Sequence, residues 1–229
     1  SGPCAPDPST YADALNILEH YEINTPLVIN EILHSGCQQV LAETPKPGSS
    51  VFKNVENRII ASARHSLNAA DAYFYKNGIS AAILGDTVTG EAREVAKVYA
   101  ALTKETSQYS KSWKPPIALL SGGETTVTVK GNGRGGRNTE FLLSLAIELN
   151  GMDNIYAIAC DTDGIDGSED NAGAIITPDT WPRSKRLGIN ARRLLAHNDS
   201  YHFFEQLGNL IKTGPTYTNV NDYRAILIL

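Results

Sequence analysis

Short apolar segments alternate with amphipathic helical segments along the middle of the chain, and this alternation constrains the fold more than any other feature. Residues 79–84 and 117–120 are apolar and short enough to be buried strands, and residues 90–105 place apolar side chains on one face of a helix. A further apolar segment at 58–61 precedes a helix predicted at 66–76. Strand–helix–strand order at this spacing requires parallel strands joined by right-handed crossovers. The sequence therefore predicts an α/β fold.

The pattern changes after residue 120. Residues 125–130 (TTVTVK) alternate polar and β-branched side chains, which predicts a half-exposed strand antiparallel to its neighbour. A glycine-rich loop then leads into a helix predicted at 138–149. Taken together, the segments predict a three-layer α/β/α fold with a mixed, partly parallel sheet. The remaining elements predicted are strands at 155–160, 173–176 and 225–229 and short helices at 191–196 and 200–207.

Residues 1–47 are predicted to belong to a different domain from residues 48–229. Two amphipathic helices are expected in the first part, one after Ser9 or Thr10 and one beginning at Pro26, and the loop 43–50 (ETPKPGSS) forms the boundary. The chain has a single methionine, Met152, so residue 1 is not a translation start. We therefore expect the chain to be a fragment of a longer protein.

The composition limits the classes of function. Asp and Glu number 25 against 20 Lys and Arg, for a formal net charge of −5, which argues against nucleic-acid binding because that needs a basic face. No apolar run approaches the roughly 18 residues needed to cross a bilayer, so no membrane association is expected. Cys4, Cys37 and Cys160 are scattered without metal-ligand spacing, which is typical of a reduced, cytoplasmic protein.

Four polar loops next to apolar strands are candidate ligand sites, because ligands of α/β sheets bind beyond the carboxyl ends of strands. The first follows the strand at 117–120. Its paired glycines allow backbone N–H groups to approach an anion, and its glutamate could orient a substrate hydroxyl or a metal-bound water. A tight turn between two strands is the alternative. Its residues are Ser121, Gly122, Gly123 and Glu124.

The second loop, residues 130–138, opens the helix at 138–149. Its glycines and arginines are what phosphate binding requires, because a helix N-terminus carries unpaired N–H groups and a guanidinium grips phosphate oxygens. The glycine spacing fits neither the Walker pattern nor the dinucleotide-binding pattern. A flexible turn with solvated arginines is the alternative. The candidate residues are Gly133, Arg134, Gly135, Gly136, Arg137 and Asn138.

The third and fourth loops are rich in oxygen donors. Carboxylates clustered after the strand at 155–160 can hold Mg²⁺ or accept a proton, although Asp–Gly pairs are also ordinary turn residues. The hydroxyl and amide groups of the loop 212–222 could form hydrogen bonds to a sugar, carboxylate or phosphate. Helix capping and turn formation explain such residues equally well. The candidates are Asp161, Asp163 and Asp166 in the third loop and Thr213, Gly214, Thr216, Thr218 and Asn219 in the fourth.

Taken together, these loops resemble the glycerate 2-kinases of the "multi-organism fragment rich in leucine" (MOFRL) family, whose members often carry the label hydroxypyruvate reductase. The most specific match is LSGGETTVTVKGNGRGGRNTEF at 120–141, followed by DTDGIDGSEDNAGA at 161–174 and KTGPTYTNVNDY at 212–223. Shorter matches lie at 1–8, 43–48 and 90–96. Family members are about twice as long and begin with a Rossmann-like domain. The resemblance thus implies that residues 1–47 are the tail of that domain and that the MOFRL region covers about 115–229.

The resemblance implies an activity, its cofactors and its partners. ATP would phosphorylate D-glycerate at the 2-hydroxyl, with Mg²⁺, in a cleft between the missing N-terminal domain and this one. Arg137 would stabilise the transferring phosphoryl, helped by Arg134 and the glycine backbone. Asp161, Asp163 and Asp166 would hold metal or substrate hydroxyls, and residues 213–219 would line the cleft. A homodimer is a further expectation.

The family's catalytic lysine falls in the half that this chain lacks, so the chain alone is expected to be inactive. Alternatives of two other functional classes stay open. One alternative is an NAD(P)H-dependent hydroxypyruvate reductase, which would need a dinucleotide-binding turn outside this sequence. The other is a ligand-binding or assembly module without catalytic activity.

Overall fold

The chain divides into two compact units, the first ending at Ile60 and the second beginning at Ala61. The computed structural model describes residues 4–109 and 111–229. The division lies later than the predicted boundary at 47/48, because Val51 and Phe52 pack with the N-terminal segment around a cavity of about 630 Å³. The assignment of the first unit to a larger domain stays a prediction.

The first unit contains two helices, α1 (Tyr11–His20) and α2 (Leu27–Cys37), and a 3₁₀ turn at Ser50–Phe52. Helix α1 begins where the sequence predicts, because Thr10 accepts a hydrogen bond from the N–H group of Asp13 and the Asp13 carboxylate accepts one from the N–H group of Thr10. This reciprocal pair satisfies two N–H groups that a helix start otherwise leaves free.

The second unit carries the sheet and most of the helices. Its described elements follow one another in the order α3 (Ala63–Lys76), β1 (Ser80–Val88), α4 (Ala92–Gln108), β2 (Ile117–Gly123), α5 (Arg137–Leu149), β3 (Ile155–Asp161), β4 (Gly173–Ile176), α6 (Thr180–Arg186), α7 (Ala191–Ala196), α8 (Ser200–Leu207), β5 (Leu210–Ile211) and β6 (Asp222–Ile228). Helix α6 and strand β5 are additions to the predicted elements.

The six strands form one mixed sheet in the order β1-β2-β6-β3-β4-β5. Strands β1 and β2 are parallel, and each of the other neighbouring pairs is antiparallel. Strand β6 lies between β2 and β3, where Ile226 is opposite Leu119 on one side and Ala157 on the other. The predicted mixed, partly parallel sheet is confirmed.

Helices cover both faces of this sheet, which confirms the predicted three layers. Alternate side chains of β2 point to opposite faces, as a strand requires. Ala118 and Leu120 pack with Leu67 of α3, whereas Ile117 and Leu119 join the larger core on the other face, to which α4, α5, α7 and α8 contribute. Helix α5 is buried along almost its whole length because it lies between the sheet and the outer helices.

Two predicted strands are wrong. Residues 58–61 pair with no strand, and Ile59 and Ile60 are 82% and 88% exposed. Residues 125–130 form no strand apart from one bridge between Thr126 and Glu91. The free edge of β2 that they would need is taken by β6. They run instead beside the start of α4, where the N–H group of Thr128 donates to the Glu91 carboxylate.

The first turn of α5 is held by a buried carboxylate from the loop after β3. Asp166 accepts hydrogen bonds from the N–H groups of Asn138 and Thr139, both at 2.9 Å, and from the Thr139 hydroxyl at 2.8 Å. The partial positive charge of a helix N-terminus favours an anion at this position. Burial raises the pKa of Asp166, and these three donors oppose that shift.

We expect Asp166→Ala to lower the free energy of unfolding by about 2–4 kcal/mol, because two buried N–H groups of α5 lose their acceptor. Urea denaturation of the purified chain measures this. Asp153→Ala, at an exposed position, is the matched control and should change stability by less than about 0.5 kcal/mol. Equal effects of the two substitutions would contradict this role for Asp166.

Candidate active site

Three strands and one helix bring polar groups together at one end of the sheet. The carboxyl ends of β2 and β3 flank the beginning of β6, so that Asp222 lies opposite Gly123 on one side and Asp161 on the other. Arg137 is the first residue of α5 and reaches this edge. The structure thereby joins the first, second and third of the predicted loops.

Arg137 lies among three carboxylates. Its Nε atom donates to Asp222 at 2.8 Å, and a terminal nitrogen lies 2.5 Å from an Asp161 oxygen and 3.5 Å from Glu124. Burial lowers the pKa of Arg137, but Asp222 and Asp161 more than offset this effect and the pKa lies above its ordinary value. The side chain keeps 21% of its surface exposed, so a permanently charged guanidinium is held in a set orientation at the protein surface.

Asp222 is a further member of the cluster that the sequence analysis missed. Its Oδ1 atom accepts from Arg137 and from the Asn138 side chain at 2.8 Å, and its Oδ2 atom accepts from Arg224 at 2.5 Å. Asp222 and Arg224 are both fully buried. The available signal is an Asp and an Arg at alternate positions of an otherwise apolar strand, since alternate residues share one face.

The aspartate loop places the Asp161 carboxylate against Arg137 and the Asp163 carboxylate next to that of Asp161. The N–H group of Asp163 donates to Asp161 at 3.0 Å, and the N–H group of Ile165 donates to Asp163 at 2.8 Å. Burial raises the pKa of Asp161 to about 6, and the neighbouring Asp163 carboxyl adds to the rise, while Arg137 opposes it. Asp161 and Asp163 are therefore a close carboxylate pair.

Part of the fourth predicted loop lies directly on this aspartate loop. The N–H group of Thr216 donates to the Asp163 carbonyl at 2.9 Å, and the Thr216 hydroxyl donates to the Thr162 carbonyl. The Asn219 side chain lies 3.3 Å from an Asp163 carboxylate oxygen. The Thr213 and Thr216 hydroxyls also donate within the loop, to the carbonyls of Gly214 and Thr218.

For most of its length, the glycine loop (residues 130–138) contacts segments outside the carboxylate cluster. The N–H group of Gly133 donates to the His197 carbonyl and that of Arg134 to the Asp199 carboxylate, both at 3.0 Å. The Arg134 side chain pairs with Glu169 and lies over the Tyr201 ring. Gly135 lies against Ser200. Of the two predicted phosphate-binding arginines, the structure therefore brings only Arg137 into the carboxylate cluster.

The start of α5 already holds an anion. Asp166 receives the N–H groups that the sequence analysis assigned to a phosphate, and Gly136 allows this contact, since a Cβ atom there would lie 2.4 Å from the Asp166 carboxyl group. Both Asp166 oxygens accept hydrogen bonds. Its predicted part in a metal site stays a prediction.

Ser121, Gly122 and Gly123 are buried within β2, and Glu124 is exposed beyond its end. Gly123 adopts a φ of +118°, and a Cβ atom there would lie 2.3 Å from the backbone of Val88. The glycine therefore permits the close pairing of β1 and β2, and Glu124 is the member of this loop that reaches Arg137.

Within residues 4–109 and 111–229, no group of three or more His, Cys, Asp or Glu side chains is arranged to hold a metal ion. No helix in the same ranges is both long and apolar enough to cross a membrane.

Comparisons with known proteins give the family and its relatives. Residues 117–222 match the model of the MOFRL family. A protein of Agrobacterium vitis that is provisionally named hydroxypyruvate reductase is 46% identical, over 100% of this chain and 51% of its own length. The D-glycerate 2-kinase of Thermotoga maritima is 40% identical, over 97% of this chain and 51% of the relative.

Solved structures agree with these sequence matches. The crystal structure of the Thermotoga maritima glycerate kinase superposes with a TM-score of 0.81 at 40% identity, covering 100% of this chain and 53% of the kinase. A structure from Pyrococcus horikoshii gives a TM-score of 0.75 at 34% identity, covering 100% of this chain and 52% of that one. The chain spans about half the length of the relatives it matches. Residues 117–222 are therefore similar to the MOFRL family, and the chain is similar over almost its whole length to one half of a protein named D-glycerate 2-kinase.

Proposed function

We propose that this chain supplies one wall of a site that transfers the γ-phosphoryl group of ATP to the 2-hydroxyl of D-glycerate, giving 2-phosphoglycerate. The observation that carries the proposal is the Arg137 guanidinium, held by Asp222 and Asp161 at the carboxyl end of the sheet with part of its surface exposed. The relationship to the Thermotoga maritima D-glycerate 2-kinase supplies the substrate and the reaction.

Arg137 suits this chemistry because phosphoryl transfer is achieved mainly by positioning and by stabilising charge on the transferring group. Two carboxylates fix the orientation of its guanidinium before any ligand arrives. A preorganised cation needs little rearrangement at the moment of reaction. Arg137 would thus contact the phosphoryl oxygens, and the exposed Glu124 beside it could orient a substrate hydroxyl.

The charge balance of the cluster favours a metal-bound phosphate over a free one. Arg137 contacts the carboxylates of Glu124, Asp161 and Asp222, Arg224 contacts only the last of these in the described part of the chain, and Asp163 lies beside Asp161 as a fourth carboxylate. This excess of negative charge would repel a bare polyphosphate. Mg²⁺ is bound in proteins by one or two carboxylates together with phosphate oxygens and water, so the donor set fits a magnesium ion that arrives with its nucleotide.

Asp161 and Asp163 are the residues that would hold Mg²⁺. Burial, together with the neighbouring Asp163 carboxyl, raises the pKa of Asp161 to about 6, and a cation between the two carboxylates would relieve their repulsion. When bound, Mg²⁺ would neutralise charge on the polyphosphate. Asp166 is fully buried at the first turn of α5, where its carboxylate accepts three hydrogen bonds, so it would not reach a metal ion that arrives with the nucleotide.

The remainder of the site would come from a second domain. The chain spans about half the length of its relatives, and the cleft of the proposed enzyme would lie between the Arg137 cluster and the domain that this chain lacks. We therefore expect turnover from the full-length protein and none from this chain alone.

In the full-length protein, Arg137→Ala should reduce kcat for glycerate phosphorylation by at least about 100-fold, because charge on the transferring phosphoryl loses its partner. Arg137→Lys keeps the charge without the two-pronged geometry and should lose less. A coupled assay of ADP formation measures both. Arg192→Ala, at an exposed position of α7, is the control. An unchanged kcat in Arg137→Ala would remove Arg137 from the mechanism.

Nucleotide binding to the full-length protein should require Mg²⁺, and calorimetric titration with ATP in magnesium or in EDTA tests this. Metal binding requires ionised carboxylates, and Asp161 has a pKa of about 6. Affinity should therefore be constant above about pH 7 and fall as the pH drops below 6. Asp161→Asn should weaken Mg²⁺-ATP binding, whereas the exposed Asp153→Asn should not. Equal binding in EDTA would contradict the metal proposal.

The reductase alternative rests on the provisional name of the Agrobacterium vitis relative. A direct assay separates the two reactions. Full-length protein mixed with NADH and hydroxypyruvate should show no steady loss of absorbance at 340 nm, whereas Mg²⁺-ATP and glycerate should give ADP. Steady NADH oxidation without ADP formation would overturn the kinase proposal.

A further inference from the structure

Arg224 is a fully buried arginine for which the proposed reaction has no direct use. It lies at the middle of β6, paired across the sheet with Ser121 of β2 and Ala159 of β3. Its guanidinium lies 5.2 Å from the centre of the Phe141 ring. Along β6, Arg224 shares a face with Asp222 on one side and Ile226 on the other, so its charge points into the apolar core.

Holding a charge at this position is unfavourable. Burial lowers the pKa of Arg224, and in the described part of the chain its Nε and one terminal nitrogen have no hydrogen-bond partner. Its other terminal nitrogen donates to Asp222 at 2.5 Å and to the Thr125 hydroxyl at 2.9 Å. Apolar residues often replace buried ion pairs without loss of stability, so stability alone does not account for Arg224.

Its contact with Asp222 connects it to the candidate active site. One oxygen of that carboxylate receives Arg224, and the other receives Arg137 and the Asn138 side chain. Asp222 has no exposed surface, so solvent cannot screen its charge. If Arg224 carried no charge, the guanidinium of Arg137 would be, among the described residues, the sole cation in contact with this carboxylate.

We propose that Arg224 is a positioning residue that compensates the charge of Asp222 and thereby leaves the positive charge of Arg137 available to the transferring phosphoryl group. Asp222 then sets the direction of the Arg137 side chain without neutralising it. This inference rests on the proposed function, because it assigns to Arg224 a part in the phosphoryl transfer that Arg137 would perform.

Four variants of the full-length protein test the inference. Arg224→Met removes the charge, Arg224→Lys keeps it, and Arg224→Met combined with Asp222→Asn removes both members of the pair. Arg192→Met, at an exposed position, is the matched control. For each, kcat and the KM values for ATP and glycerate are measured per folded molecule, with the folded fraction taken from urea denaturation.

Charge compensation predicts a specific pattern. Arg224→Met should lower kcat by at least about tenfold and leave both KM values within about threefold, as expected for a loss confined to the transition state. Arg224→Lys should stay within about threefold of the wild-type kcat. The kcat of the double variant should be at least about fivefold higher than that of Arg224→Met, because the uncompensated carboxylate is gone.

A merely structural role predicts a different pattern and would overturn the inference. In that case each variant lowers stability while kcat per folded molecule stays at the wild-type value, or Arg224→Lys loses as much kcat as Arg224→Met. If Arg224→Met does not fold, Arg224→Lys decides the question, since it leaves no unpaired buried charge. A loss of more than about tenfold in its kcat per folded molecule would overturn the inference.

The same assays separate this inference from the proposed function. Wild-type protein that neither forms ADP with glycerate nor binds Mg²⁺-ATP defeats the proposed function and this inference together. Active wild-type protein whose kcat is insensitive to Arg224→Met overturns only the inference.

Discussion

The buried carboxylate of Asp222 is the interaction on which the arrangement of the sheet end depends. It receives hydrogen bonds from the start of α5, through Arg137 and Asn138, and from its own strand, through Arg224. The N–H group of Thr125, just beyond β2, lies 3.4 Å from it. One side chain thus links β6 to the helix and the strand beside it. A group without exposed surface keeps its electrostatic interactions largely unscreened, so the position of Arg137 follows from that of Asp222.

Elements with a clear local signal could be predicted from the sequence. Helix α7 and strand β4 have the predicted bounds, and α5 begins one residue before the predicted start. Their periodicity or apolar run is complete within a few residues, so the prediction needs no knowledge of distant neighbours. The confirmed layers follow from the same local patterns.

Strand pairing was the part of the fold that local patterns could not give. One neighbour of β2 is β6, about a hundred residues later in the chain. Residues 125–130 have strand-like composition, but β1 and β6 already occupy both edges of the strand that they follow. β-Propensity expresses how a segment packs on its neighbours rather than an intrinsic preference of its backbone. The apolar pair Ile59 and Ile60 was misassigned for the same reason, since it lies at the junction of the two units with no strand beside it.

Part of the candidate site could be predicted from the residue types of polar loops. The charged residues of β6 could not be predicted in this way, because the rest of that strand is apolar. Arg137 and Asp161 stand in polar, glycine-rich loops that are predicted as sites, whereas Asp222 and Arg224 precede the strand predicted at 225–229 and are not among the predicted site residues. The glycines gave a mixed signal, because close backbone packing and phosphate binding both require the absence of a side chain. Gly123 and Gly136 are explained by packing, against Val88 and Asp166.

Strand β6 follows every other strand of the sheet along the chain, yet it lies at the centre of the sheet order. During synthesis, β2 and β3 leave the ribosome with an open gap between them that only β6 can close. The long sequence separation between β2 and β6 makes this closure slow relative to local helix formation. During synthesis, Arg137 and Asp161 can therefore meet the Asp222 carboxylate only after β6 has been made. A polypeptide that stops before β6 would lack both the strand that joins β2 to β3 and the carboxylate that holds Arg137.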